Sequence, residues 1–273
     1  MKILFSEAKA DYANYVFPYA IWAFPEAGET PADMFNAGFL PSSRNLDRFY
    51  LCRHLRLDLA KFTLSSENRR ILRKGEGLRV ELIPRSQFDY TPARRGFFKS
   101  YADTKFGKDV MSYDRLDALF SSPIISHLLV FTDESSGAEI GVASLYVESP
   151  ALAFYYYAFY DLTHANRSLG MFMMTSAARL FAGLGFAWLY LGSCYSENAL
   201  YKTQFAGMQF FTGFRWSDNL AELKFLVRRG QGGMREHLLE NQDYRREFYG
   251  PELRSFSDAG GFRVDLQPEP PVF

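Results

Sequence analysis

Three groups of residues in this chain have types and spacing suited to chemistry. Within residues 151–205 an aromatic strand runs into polar residues and then into a helix that opens on Ser168-Leu169-Gly170. Backbone N–H groups at such a helix start point outward and hold an anion. A second strand follows, and a short polar segment after it closes on Tyr201-Lys202. The third group is basic: from Arg44 to Lys74 nine Arg or Lys residues stand against Asp47, Asp58 and Glu67. Two readings of that excess stay open, a solvated basic face or a face for RNA and other phosphates, which takes several Arg and Lys together.

The rest of the composition narrows the chemistry. Net charge is zero over 273 residues, so no global field draws the chain to nucleic acid or membrane, and any such site has to be a local patch. There are two cysteines, Cys52 and Cys194, far apart and without a Cys-x-x-Cys pair, which excludes a disulfide framework and a cysteine-built zinc or iron-sulfur site. They read as core residues rather than nucleophiles. No window holds the run of about 20 apolar residues that a membrane helix needs, and the first residues lack the long apolar stretch of a signal peptide. The expectation is a cytoplasmic protein with no membrane and no metal partner. An aromatic share of 17% points to thick strands and an aromatic-lined cleft, with ordinary core packing as the alternative.

The elements that would position these residues change character along the chain. Breakers crowd the first third, where Thr30 and Pro31 start a short helix over 31–37 with Gly38 as its stop. Alternation predicts strands over 55–59 and 78–83, and Ser65 caps a basic helix over 67–74. Helices are predicted over 88–101 and 113–120. A hairpin follows over 124–131 and 139–147, turning on residues 133–137. Then come a strand over 151–160, a helix over 169–184, a strand over 186–191 and a short helix from residue 198. Two closing strands are predicted over 209–216 and 221–227, a helix beyond residue 229, and a disordered Pro-rich end over 266–273. We divide the chain into an N-terminal region with the basic segment (1–107), an acyltransferase-like unit (108–230) and a C-terminal helix and tail (231–273).

Hairpin, strand, helix, strand, helix and closing strands is the element order of the GNAT acyltransferases. The resemblance implies an α+β fold: a mixed, mostly antiparallel sheet flanked by helices, with the acyl donor entering a gap between two splayed central strands. In CoA-using members small residues follow at the turn, whereas this chain reads Arg167-Ser168-Leu169-Gly170-Met171-Phe172. The bulky Phe172 there argues for a donor other than an ordinary CoA thioester.

A more specific resemblance joins both halves. Tyr160-Asp161, Arg167 through Gly170, Tyr190-Leu191-Gly192 and Tyr201-Lys202 resemble the catalytic domain of the aminoacyl-tRNA protein transferases, the arginyltransferases and bacterial leucyltransferases of the N-degron pathway. Residues 38–43, the Cys-Arg-x-x-Arg of Cys52, Arg53 and Arg56, and the Ser-x-x-x-Arg-Arg-x-x-Arg of Ser65, Arg69, Arg70 and Arg73 resemble that family's N-terminal segments. The likeness covers roughly residues 35 to 216. Leu162 replaces the family's proline, Ala199-Leu200 its Lys-Met, the loop between Gly192 and Tyr201 is shorter, and the N-terminal cysteine cluster is missing.

The resemblance implies transfer of an amino acid from charged tRNA, as co-substrate, to the N-terminal α-amine of a protein or peptide, with no cofactor. Asp161 would act as general base or orient the amine. Lys202 would hold a tRNA phosphate or the oxyanion, and Tyr201 would stack on the terminal adenine. Backbone groups of Ser168, Leu169 and Gly170, with Arg167, would hold a phosphate or the oxyanion, while Arg53, Arg69, Arg70, Arg73 and Lys74 would face the tRNA. His164 is a proton shuttle or a solvated loop residue. An acyl-CoA N-acyltransferase, and a relative that binds N-termini or RNA without turnover, are the alternatives.

Overall fold

The computed structural model describes residues 1–231 and 236–261, with side chains described for all of these except residues 14, 165–167 and 231. Two strands, β1 (Lys2–Glu7) and β2 (Tyr19–Phe24), open the chain. Helix α1 (Pro31–Asn36) starts where Asp33 accepts a hydrogen bond from the Thr30 N–H at 2.8 Å. Then β3 (Phe39–Pro41) and β4 (Phe49–Leu51) complete a four-stranded sheet in the order β1-β2-β4-β3.

The next strand, β5 (His54–Asp58), leaves that sheet for a larger one. Helix α2 (Ser66–Lys74) begins on a reciprocal cap. Ser65 Oγ accepts from the Asn68 N–H at 3.0 Å and Asn68 Oδ1 accepts from the Ser65 N–H at 3.1 Å. After β6 (Leu78–Pro84), helices α3 (Pro92–Phe106) and α4 (Tyr113–Phe120) are capped by Thr91 and Ser112. The chain continues through β7 (His127–Asp133), β8 (Glu139–Glu148), β9 (Leu152–Tyr160), α5 (Leu169–Gly183), β10 (Trp188–Ser193), β11 (Met208–Phe211) and β12 (Trp216–Ser217).

The large sheet has eight strands in the order β12-β11-β5-β10-β9-β8-β7-β6, so strands from both sides of residue 107 share it. Every pairing in it is antiparallel except β9 with β10, which α5 connects. Strand residues alternate between two buried faces. Leu129 and Phe131 pack with Phe172, Met173, Ala177 and Phe181 of α5, while Leu128 and Val130 pack with Phe98, Leu116 and Phe120 of α3 and α4. This is the expected α+β architecture, a mostly antiparallel sheet covered by helices. Among the described residues no helix is long and apolar enough to cross a membrane.

One break in this sheet matters for function. Strands β9 and β10 pair only from Leu152 to Phe154, opposite Trp188 to Tyr190. Beyond that point β9 stays with β8 as far as Tyr160 and β10 stays with β5 as far as Ser193. Each strand carries an extra residue just where they part. Tyr156 is unmatched between Tyr155 and Tyr157, and Leu191 between Tyr190 and Gly192. A bulge bends its strand and raises its local twist. Two bulges facing each other across a parallel pair therefore open a wedge, the splayed pair of strands that the resemblance in element order implied.

Past the wedge the structure departs from expectation. The predicted strand over 209–216 is a hairpin, because Thr212 to Arg215 turn back with Gly213 at φ 114° and the Thr212 N–H bonded to the Arg215 carbonyl at 2.9 Å. The predicted strand over 221–227 is helix α6 (Leu220–Gln231). Asn219 Oδ1 accepts from the Ala221 N–H at 3.0 Å and the Glu222 N–H at 3.3 Å, and Leu223, Leu226 and Val227 are buried at helical spacing. The single helix predicted beyond residue 229 is replaced by the end of α6, then α7 (Gln242–Phe248) and α8 (Leu253–Asp258). Glu222 ties these together: its carboxylate is fully buried and accepts from Ser217, Tyr244 and Tyr249 hydroxyls at 2.5 to 2.6 Å. The Pro-rich end lies outside the described residues.

Candidate active site

The wedge opens into a cleft of about 890 Å³. Asp161, Ser168, Leu169, Gly170, Tyr201 and Lys202, which lie up to 41 residues apart in the chain, all line it. Each reaches the cleft for a local reason.

Asp161 follows the last residue of β9, and its N–H still bonds the Ile140 carbonyl at 2.8 Å, which fixes where the strand ends. Its Oδ1 accepts from the Thr163 N–H at 2.8 Å and the Thr163 hydroxyl at 2.7 Å, and Oδ2 lies 3.2 Å from His164 Nδ1. These contacts, the Thr163 hydroxyl foremost, hold the carboxyl below the usual aspartate range. A carboxylate so stabilised is a poor proton acceptor and a good anchor for an ammonium group.

Helix α5 begins at Ser168, whose backbone is left-handed, φ 51° and ψ 46°. Its side chain makes no cap bond to the helix. Instead Ser168 Oγ accepts from Lys74 Nζ at 3.1 Å. The Met171 and Phe172 N–H groups both bond the Ser168 carbonyl at 3.0 Å, so the amides of Leu169 and Gly170, residues that line the cleft, lie ahead of the first intrahelical bonds. Gly170 keeps this approach open, since a Cβ at that position would lie 2.9 Å from the Tyr160 hydroxyl, at the tip of a movable ring. Leu169 is buried and forms part of the cleft wall.

Tyr201 and Lys202 sit on a short 3-10 turn, Glu197–Thr203. Lys202 is half-buried and donates from Nζ to the Ser193 carbonyl at 3.2 Å, at the end of β10. Burial pulls its pKa below that of an ordinary lysine, an effect opposed by nearby Cys194. Tyr201 is half exposed, and burial followed by the neighbouring Tyr160 pushes its phenol up.

The basic residues divide. Lys74 is hydrogen-bonded to a cleft residue. Arg70 is paired with Glu67 at 2.5 and 2.7 Å, Arg69 donates to the Leu64 carbonyl at 2.6 Å, and Arg73 is exposed on α2. Arg53 points elsewhere: its Nε donates to the Cys194 carbonyl at 2.8 Å and its guanidinium lies 4.6 Å from the Tyr195 ring centroid. It braces the segment after β10 that leads to Lys202. The side chain of Arg167 lies outside the described residues. Cys52 and Cys194 are buried free thiols, and burial pushes Cys52 up to about 12, far from a nucleophile.

Phe172 does not crowd the turn as its position in the sequence implied. Its ring is buried against Phe131 and lies over Gly75, leaving no room there for a side chain. It clamps the end of α2 onto α5, which is what brings Lys74 to Ser168.

The aromatic wall was visible only as a strand. Tyr101, Tyr155, Tyr156, Tyr157 and Tyr160 all line the cleft. Tyr155 is 6% exposed, its hydroxyl has no hydrogen-bond partner among the described residues, and burial raises its pKa so that it stays protonated. A buried donor without a partner in a cleft wall is a group awaiting an acceptor. The repeat Phe154-Tyr155-Tyr156-Tyr157 held that signal, but which ring faces the cleft depends on the bulge.

No family model matches the chain. Among curated proteins it is similar to the aspartate/glutamate leucyltransferase of Ruegeria pomeroyi, 25% identical over 172 residues, 60% of this chain and 61% of that protein. The enzyme of the same name from Methylorubrum extorquens is 27% identical over 155 residues, 52% of this chain and 60% of that protein. The chain thus spans about three fifths of the length of these curated relatives. Among solved structures, L-PGS from Bacillus licheniformis aligns with a TM-score of 0.42 at 14% identity over 67% of this chain and 66% of that one. FemX aligns with a TM-score of 0.39 at 9% identity over 52% and 53%. Neither likeness is close enough to assign residues. By sequence, the chain is similar to curated aspartate/glutamate leucyltransferases, in line with the resemblance to the aminoacyl-tRNA protein transferases carried by its motifs.

Proposed function

We propose that this chain transfers an aminoacyl group from charged tRNA to the N-terminal α-amine of a protein or peptide. The observation that carries this reading is the wedge between β9 and β10, with Asp161, the start of α5 and Lys202 on its rim. The amine nitrogen attacks the ester carbonyl and a C–N bond forms. The tetrahedral oxyanion then collapses, the ester C–O bond breaks, and the tRNA leaves through its ribose oxygen, which takes up the proton the amine gives. An ester is activated and an α-amine has a pKa of about 7.7–8.0, so a strong base is unnecessary. Asp161 orients the amine, the first amides of α5 and Lys202 stabilise the oxyanion or an adjacent phosphate, and Tyr201 stacks on the adenine.

Leucine suits the inner wall. Leu169, Met171, Met174 and Leu191 line the cleft, and among its described lining residues Asp161 is the one carboxylate. An arginyl side chain would compete with the amine for it. The relatives are named for aspartate and glutamate as well as leucine, and we take an acidic N-terminal residue as the acceptor. The test is mass spectrometry of a peptide panel incubated with the protein and a total charged-tRNA pool. A mass gain of one leucine on Asp or Glu peptides is expected, and no gain with any peptide overturns the reading.

A second reading is favoured by one observation. Because Phe172 turns away, the mouth of α5 keeps the clearance that a CoA pyrophosphate needs. Micromolar CoA binding by calorimetry, with no transfer from tRNA, would select an acyl-CoA N-acyltransferase.

Two substitutions probe the wall. In Tyr155→Phe the unpaired hydroxyl disappears, so the protein is expected to be as stable or more so, by up to about 1–3 kcal/mol, while transfer falls. Unchanged kcat and KM would show that Tyr155 binds nothing. Gly170→Ala pushes on the Tyr160 hydroxyl at the tip of a movable ring. Its melt should hold or rise, since Ala favours helix over Gly, while kcat/KM falls by about 100-fold through misplacement at the helix start. A drop in melting temperature that parallels the loss of activity would instead mean a folding defect.

A further inference from the structure

A second concavity of about 770 Å³ shares Tyr156 and Tyr157 with the cleft and lies on the side of α3 and α4, where Tyr101, Lys105 and Phe106 of α3 also line the cleft. Tyr155 packs on the α5 side, whereas Tyr156 and Tyr157 pack on the side of α3 and α4. Arg44 and Arg48, from the loop between β3 and β4, and Arg115, from α4, line this groove opposite a single carboxylate, Asp114. The loop is held in place: Ser42 Oγ donates to the Arg48 carbonyl at 3.1 Å, Arg48 Nε donates to Ser42 Oγ at 3.0 Å, and the Arg44 carbonyl accepts from the Ile124 N–H at 3.2 Å. The positive field of Arg115 and Arg44 reaches the Tyr156 hydroxyl in the shared wall. None of the three arginines has a carboxylate partner among the described ion pairs.

We infer that this groove binds the acidic side chain of the acceptor's N-terminal residue, with Arg44 and Arg115 as the residues that select it. The inference rests on the proposed transfer reaction. Donor and acceptor have to be present together, because the amine attacks the tRNA ester directly. The start of α5 with Lys74 suits the donor's phosphates, so the acceptor enters from the side of α3 and α4, which lines both the cleft and the groove. There the surplus of arginine matches a carboxylate, and Tyr156-Tyr157 forms the threshold leading its α-amine towards the wedge.

The test compares octapeptides that differ only in an N-terminal Asp or Asn, with wild type, Arg44→Gln and Arg115→Gln. Charge-assisted hydrogen bonds to a carboxylate are worth about 1.5–3 kcal/mol. The Asp-to-Asn ratio of kcat/KM is therefore expected to fall by about tenfold or more in each variant, with melts within a few degrees of wild type. An unchanged ratio overturns the inference. So does an equal loss for both peptides with a raised KM for tRNA and a salt slope shallower by about one, which would make this an RNA backbone site. If wild type transfers nothing, the same peptides are titrated directly, carrying a C-terminal fluorophore. Tighter binding of Asp than Asn, lost in Arg115→Gln, would support the groove while the transfer reading falls, and equal binding would overturn the groove itself.

Discussion

Lys202→Ala is expected to lower kcat by about 100- to 1,000-fold, the usual loss when one donor to a developing oxyanion is removed, with no loss of stability. The second half follows from burial. Lys202 is half-buried, among the described residues it has no carboxylate partner and donates to the Ser193 carbonyl, and its pKa is lowered by desolvation. A cation whose folded pKa lies below its unfolded value destabilises the fold while charged. That penalty is fully present below the folded pKa and fades as pH rises towards the unfolded value. Removing the side chain thus leaves the melt at neutral pH unchanged or raised. The lowered pKa also sets an alkaline limb: transfer should decline below the roughly 10.4 of a free lysine, and Lys202→Arg should shift or abolish that limb. A Lys202→Ala variant with wild-type kcat would remove Lys202 from the site.

Asp161→Asn is expected to cost about 10- to 100-fold in kcat/KM, through loss of the charge that orients the amine. Asparagine keeps an oxygen for the Thr163 N–H and hydroxyl, so the turn survives and the melt should change little at neutral pH. The pH profile separates orientation from base catalysis. Asp161 is held below the usual carboxyl range, so its contribution to stability is present above the unfolded pKa and lost as pH falls through the folded one. It remains ionised throughout the working range. The acid limb of transfer should therefore follow the acceptor amine, near 7.7–8.0, in wild type and variant alike. An acid limb below the roughly 3.9 of a free aspartate that vanishes in Asp161→Asn would instead make Asp161 the base.

Much of this was legible in the residues. Ser65 and Ser112 each cap the helix that follows, because a cap needs only its own side chain and an amide three residues on, whereas the helix expected from residue 88 starts at Pro92, capped by Thr91. The hairpin of β7 and β8, the strand β9 and the helix α5 were readable from alternation and turn residues for the same reason. Asp161, Ser168, Gly170 and Tyr201-Lys202 stood out because residue type and order resemble a known family. Asn219 is an equally local cap, but the apolar run of Leu223, Phe225, Leu226 and Val227 fits strand or helix by itself, and packing decides for the helix.

Other features depend on partners distant in the chain. The bulges at Tyr156 and Leu191 exist only relative to β8 and β5, so no pattern within β9 or β10 foretells them. The bulge at Tyr156 puts Tyr156 and Tyr157 on one side of the sheet, opposite Tyr155. Phe172 looked like an obstacle in the cleft until packing placed it over Gly75. Arg53 belonged to a basic motif yet braces Cys194 and Tyr195, and Arg115, in no motif at all, meets Arg44 across the groove. Local bonding within a few residues determined the elements and named the candidate groups, whereas strand register and side-chain packing, set by long-range burial, decided which groups share a cleft.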